Sequence, residues 1–342
     1  MILSLNRRIA RVLALVCLML VHLPAMGQQP VKLRFTLDWR YEGQLAMFML
    51  AKQKGYYANE GLDVSIDSGS GSASAINRIV SGSHDVGTGD LTALIEFLGN
   101  NPGPTRLQAV YLIYNRSPFI IHGLKKSGLV RPQDLAGKRI AAPVFDSIRK
   151  SFPVFARQIG IDPQSVTFIN VDPALRETLM LRGDVEAATG FELHKLVLLA
   201  RGVKDEDIAT FRLADYGFKM YGNAILVSSE LIAKRPEVVA AFVRASNRAL
   251  IDTIKDPVEA IRANKQFDAL IDEKLELEKL RITLRSIDTD FARANGLGAI
   301  DRADLATQVD DVSNSFGLKS KPAVGPIFND SFLPAKADRM IR

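Results

Sequence analysis

Residues 80–89 read Val-Ser-Gly-Ser-His-Asp-Val-Gly-Thr-Gly, and residues 181–190 read Leu-Arg-Gly-Asp-Val-Glu-Ala-Ala-Thr-Gly. Gly82 and Gly183, Asp85 and Glu186, Thr88 and Thr189, and Gly89 and Gly190 match at a constant offset. Each segment follows a strand-like run, an aspartate (Asp67 or Asp172) and a helical pattern. In both, a helix ends at glycine, a short strand follows, and Thr-Gly falls at its carboxyl end. Open α/β sheets bind ligands at those carboxyl ends. Two such sheets facing each other put Thr88-Gly89 and Thr189-Gly190 on opposite walls of one cleft. Chance likeness between two βα units is the competing explanation; the offset is too long for a solenoid repeat.

Outward from the repeat, strand and helix keep alternating, which predicts βα units and mostly parallel sheets. Val31, Leu33, Phe35 and Leu37 alternate with Lys32, Arg34 and Thr36, the period of a strand with one wetter face. A polar loop, Asp38 to Gly43, leads into a helical pattern through Leu45, Phe48, Met49 and Lys52. Leu62, Val64 and Ile66 mark a second strand, followed by Ser68-Gly69-Ser70-Gly71-Ser72 and a helix with Ile76, Ile79 and Val80. The last third carries packing helices. Pro236 opens one with Val238, Val239, Phe242 and Val243; Asp256-Pro257 and Asp301 cap two more. They are read as completing the first lobe. Tyr111–Ser117 and Tyr221–Ser228 are the candidate crossings between lobes, and two linking strands would form a hinge.

The first residues read as an address label. Arg7, Arg8 and Arg11 precede an apolar run from Val12 to Leu23, and Ala25-Met26-Gly27 offers a cleavage site. The run is short of the ~20 residues that span a bilayer. Cys17, the sole cysteine, lies inside it after Val16. The expected mature chain therefore has no disulfide, thiolate metal site or cysteine nucleophile. Removing 1–27 takes away three arginines and no acids, so the net charge falls from +6 to +3. That is weak for a nucleic-acid binder. About 315 residues remain, which favours two domains.

The candidate site follows from the carboxyl ends. Trp39, the only tryptophan, begins a polar loop with Asp38, Arg40 and Glu42, where its indole can stack on a ligand and donate one hydrogen bond. Gly69, Ser70, Gly71 and Ser72 lack the third glycine of a dinucleotide fingerprint. They either leave backbone N–H groups free for an oxyanion or form a turn with a cap. Asp90 after Thr88-Gly89 and Asp146-Ser147 after Phe145 suit ligand contact or capping alike. Phe191 and Glu192 follow Thr189-Gly190 at the cleft lip. Asn115, Tyr216, Tyr221 and Asn223 fall near the crossings. His84, His122 and His194 lack metal-site spacing, and each reads as a satisfied surface or core histidine. Glycine-rich turns suit an anion, while Asp38, Glu42, Asp90, Asp146 and Glu192 suit amine donors; both remain open.

Leu37-Asp38-Trp39-Arg40, Gly55-Tyr56-Tyr57 with Glu60-Gly61-Leu62-Asp63-Val64, and Asp85-Val86-Gly87-Thr88-Gly89-Asp90 resemble the SsuA/THI5-like (NMT1) family. Ala214-Asp215-Tyr216-Gly217 and Tyr221-Gly222-Asn223-Ala224-Ile225 resemble one branch of it. The resemblance covers the chain beyond the leader. It implies a type II periplasmic-binding-protein fold, with two α/β lobes of mostly parallel sheets joined by a two-strand hinge. It also implies a monomeric, periplasmic solute-binding component that serves an ABC permease and ATPase without a cofactor. Its solutes would be taurine- or sulfonate-like, or aminopyrimidine-like. The family lends its name to an enzyme of thiamine-pyrimidine synthesis, which relies on a cysteine-rich motif and a loop histidine. Trp39-Arg40-Tyr41-Glu42-Gly43 has no histidine, so a binder rather than an enzyme is expected. The expected layout is a signal peptide at 1–27, lobe I at 28–116, lobe II at 117–224, and lobe I again, mainly helical, at 225–342.

Overall fold

A computed structural model describes residues 29–341 apart from 145 and 219. The expected signal peptide and Phe145 lie outside the described residues. Among the described residues, ten strands form two five-stranded sheets. The strands are β1 (Val31–Thr36), β2 (Leu62–Asp67), β3 (Val86–Asp90), β4 (Leu107–Leu112), β5 (Phe119–Leu124), β6 (Arg139–Ala141), β7 (Thr167–Ile169), β8 (Ala187–Phe191), β9 (Ile208–Arg212) and β10 (Asn223–Ser228). The first sheet runs β2-β1-β3-β10-β4 and the second β7-β6-β8-β5-β9. Within each, three adjacent strands are parallel and the fourth is antiparallel to both its neighbours. This is an α/β architecture in which one half repeats the other.

The alternation read in β1 places Leu33 and Phe35 in the core and leaves Lys32 and Arg34 exposed. Phe35 packs against Phe48 and Phe242, with ring centroids 4.8 and 5.1 Å apart. Phe242 comes from the helix Pro236–Lys255, whose expected apolar side, Val238, Val239, Phe242 and Val243, is buried. Asp256 and Asp301 each accept two backbone N–H groups at the start of the next helices.

Two features differ from the sequence reading. Tyr221–Ser228 is not a crossing, because all six residues of β10 pair inside the first sheet. The chain passes between sheets in residues 113–118 and 213–222, neither of which is a strand. The passages meet at their ends: Gly222 N–H donates to the Tyr114 carbonyl at 3.0 Å, and Tyr114 N–H to the carbonyl of Asn223, the first residue of β10, at 3.1 Å. Nor does the last long helix serve one sheet alone. Arg302–Phe316 packs against both Leu91–Asn100 and Ser147–Gln158, in an apolar cluster that includes Leu94, Phe152 and Val309.

Candidate functional site

Asp38 leaves the end of β1 and is buried. Its N–H donates to Thr88 Oγ1 at 2.8 Å, and that hydroxyl donates back to Asp38 Oδ1 at 2.7 Å. Asn223 Nδ2 and Ser72 Oγ donate to Oδ2 at 2.7 and 3.2 Å. Burial pushes the Asp38 carboxyl above its ordinary range, while Thr88, Asn223 and Ser72 pull it back. All of its donors belong to the chain, so Asp38 organises the wall.

Asp90 ends β3 beside it. Its Oδ1 caps the helix Leu91–Asn100 by accepting Thr92 N–H at 2.8 Å, and its own N–H donates to Ser72 Oγ at 3.0 Å. Oδ2 is buried with no hydrogen-bond partner among the described residues. Burial raises this carboxyl to about 6, against the hydrogen bonds of the helix start and with a smaller push from the Asp38 charge. Leaving a buried acceptor unpaired costs about 1–3 kcal/mol. A donor arriving from a solute would remove that cost.

The second sheet repeats the arrangement. Asp146 follows β6 and caps Ser147–Gln158 through Oδ1, which accepts the Ile148 and Arg149 N–H groups at 2.8 and 3.0 Å. Its Oδ2 accepts Thr189 Oγ1 at 2.9 Å and Arg176 Nη1 at 3.4 Å. Arg176 therefore stands where Ser72 stands in the first half, each opening the helix after its edge strand. The opposite ends of the strands match too. Arg34 donates its backbone N–H and the guanidinium Nε and Nη2 N–H groups to Asp85, and Arg139 does the same to Glu186. Gly82 and Gly183 both take positive φ, 74° and 80°, a conformation that favours glycine.

Other candidates have different duties. Trp39 Nε1 donates to Glu42 Oε1 at 3.2 Å, so its N–H is spent inside the chain and only the partly buried ring remains for a ligand. Glu42 also accepts Lys279 at 3.0 Å, while Arg40 is exposed. The N–H groups of Gly69 and Gly71 donate to the carbonyls of Trp39 and Asp38 at 2.8 and 2.6 Å. They are not free for an oxyanion. A Cβ at Gly69 would lie 2.0 Å from the Leu37 carbonyl oxygen, so the glycine serves close approach. Ser70 is exposed and Ser147 opens its helix. Gly89 and Gly190 are interior: a Cβ would meet Leu226 in one case and His194 in the other.

Asn115 ties the first passage to Ile287 and Thr289. Tyr221 is committed to Asp301, which caps the helix Arg302–Phe316, and to Gln308 within that helix. Tyr216 packs on Phe155, about 13 Å along its helix from Asp146 at 1.5 Å per residue, away from the strand ends. Phe191 and Glu192 line a small recess with Tyr114, Pro118 and Thr283. Glu192 is held by Arg212 at 2.6 and 3.0 Å and by Arg285 at 3.5 Å.

The sequence reading missed Arg176, Tyr114 and a buried polar cluster. His122 is fully buried, and neither ring nitrogen has a hydrogen-bond partner among the described residues, contrary to the satisfied histidine expected. Glu177 Oε1 lies 3.4 Å from His122 Nε2, and Thr210, paired with His122 across the sheet, also has an unpartnered hydroxyl. The offset that matches Thr88 to Thr189 carries Ser72 to Pro173, three residues before Arg176, so the repeat in the sequence does not lead to the arginine and only the equivalent helix starts reveal it.

Residues 42–260 match the sequence profile of the family described as NMT1/THI5 like. The riboflavin-binding protein RibY of Chloroflexus aurantiacus is 28% identical over 91% of this chain and 89% of its own. The 4-amino-5-hydroxymethyl-2-methylpyrimidine phosphate synthase of Schizosaccharomyces pombe is 26% identical, over 72% of this chain and 73% of its own. Among solved structures, the alkanesulfonate-binding protein SsuA of Xanthomonas axonopodis pv. citri, bound to MOPS, superposes with a TM-score of 0.67. It is 17% identical and covers 89% of this chain and 100% of that one. That likeness establishes the fold.

Proposed function

The chain belongs to the NMT1/THI5-like family, and from that premise we propose that it is the exported solute-binding component of an ABC importer. In this reading the periplasmic protein takes a small nitrogen heterocycle between its two sheets, closes on it, and presents the closed form to a membrane permease and its ATPase. The observation that carries the reading is Asp90 Oδ2, a buried acceptor without a donor among the described residues, beside the hydrogen-bonded Asp38. It suits a solute that brings an N–H. The Trp39 ring offers an apolar face for a planar body. Exposed Val144 and Leu175, which follow β6 and β7, offer another. The names of the riboflavin-binding and pyrimidine-synthase relatives fit the same class of solute.

A binder is preferred to an enzyme on sequence grounds. The only cysteine is Cys17, and the loop after β1 carries Trp39-Arg40 and no histidine. Binding at micromolar Kd needs roughly −8 kcal/mol, which a small solute reaches only when nearly enclosed. The test is titration of the single tryptophan's fluorescence with riboflavin, 4-amino-5-hydroxymethyl-2-methylpyrimidine, taurine and ethanesulfonate. The heterocycles should change the signal and raise Tm. A response confined to the two sulfonates would overturn the heterocycle.

A further inference from the structure

Within the proposed cleft, the two walls repeat one design with one telling exchange. Ser72 in the first half donates a hydroxyl to Asp38, while Arg176 in the second presents a guanidinium to Asp146. We infer that Arg176 is the contact for an oxyanion on the solute, a phosphate, sulfonate or carboxylate, at the end opposite the N–H taken by Asp90. The inference rests on the cleft reading above.

Three observations carry it. First, Arg176 is more than nine-tenths buried, where a guanidinium without strong partners is costly. Second, its bonds are poor: Nε donates to the Pro173 carbonyl at 3.2 Å and Nη1 to Asp146 at 3.4 Å. Charge-assisted pairs of this kind close to about 2.7–2.9 Å. Asp146 divides its carboxylate among other duties: Oδ1 caps a helix, and Oδ2 takes the Thr189 hydroxyl at 2.9 Å, the shorter of its two bonds. Third, no other bond to the guanidinium is seen among the described residues, although it has five N–H donors in a fork that matches oxyanions. Position agrees: Arg176 follows β7, Asp146 follows β6, and Thr189 lies near the end of β8, three adjacent strands. This is the same edge that holds Ser72, Asp38 and Thr88 in the first sheet. The backbone N–H groups of Gly69 and Gly71 are spent, which leaves the arginine to do this work.

The experiment compares matched neutral and anionic probes by tryptophan fluorescence on wild type, Arg176→Gln and Arg176→Lys. The pairs are riboflavin with its 5′-phosphate, the aminopyrimidine with its phosphate ester, and ethanol with ethanesulfonate. Wild type should bind at least one anionic member roughly tenfold to a hundredfold more tightly than its neutral partner. Arg176→Gln should erase that gain, weakening the anionic member far more than its neutral partner, and Arg176→Lys should restore part of it. If only ethanesulfonate shows an Arg176-dependent gain, the oxyanion contact stands and the heterocycle falls. If no anionic probe shows such a gain, or Arg176→Gln weakens both members equally, the assignment is overturned.

Discussion

The hydroxyl of Thr88 donates to the carboxylate of Asp38 at 2.7 Å, joining the ends of two adjacent parallel strands. Thr189 does the same for Asp146 at 2.9 Å. Because Asp38 N–H donates back to Thr88, the loop after β1 is held at both its backbone and its side chain.

Thr88→Val keeps the shape and removes the donor, leaving a buried carboxylate one partner short. Urea denaturation at pH 7 should register a loss of about 1–3 kcal/mol. The same change in an Asp38→Asn background should cost less, and equal costs would mean that the hydroxyl does not serve Asp38.

Asp90 has a folded-state pKa near 6, above the ordinary carboxylate value. Its contribution to stability is whole below about pH 4 and is lost as pH rises through 6. Asn caps helices as well as Asp. Asp90→Asn should therefore be more stable than wild type at pH 7 and no more stable at pH 3.5. The same variant should bind an N–H-bearing solute less tightly; paired denaturation curves and titrations measure both effects.

His194 shows the opposite sign. Burial, with the nearby Arg176 charge, pushes its pKa down to about 3, and its Nδ1 accepts Phe191 N–H at 2.9 Å. Below about pH 6.5 the unfolded chain takes up a proton that the folded chain refuses, so stability falls as pH drops from 6.5 towards 3. His194→Asn, which can keep an acceptor there, should flatten the acid side of a Tm–pH profile. An unchanged profile would remove His194 from the account.

Trp39→Phe removes the donor to Glu42, whose other oxygen keeps Lys279. The loss should be about 0.5–1.5 kcal/mol in thermal or urea melts. A larger loss would mean that the indole carries core packing rather than a cleft face.

Much of this was legible in the sequence because it rests on local rules. The period of β1, the caps at Asp90, Asp146, Asp256 and Asp301, and the paired Thr-Gly ends are each written within about ten residues. What escaped depends on long-range geometry. Tyr221–Ser228 has a strand pattern, but nothing local tells whether a strand pairs within a sheet or links two. Trp39 and Gly69-Gly71 looked free because the partners of their N–H groups, Glu42 and the carbonyls of Trp39 and Asp38, are set by loop conformation. His122 gives no local sign that it is fully buried, with Glu177 3.4 Å away as its neighbour, since that follows from packing across the sheet.

The most direct test of the central claim is native mass spectrometry of the protein purified without denaturation. The account predicts a bound small molecule whose released mass fits a nitrogen heterocycle, absent or greatly reduced in Asp90→Asn. A bare wild-type chain, a nitrogen-free adduct, or equal loading of the variant would contradict it.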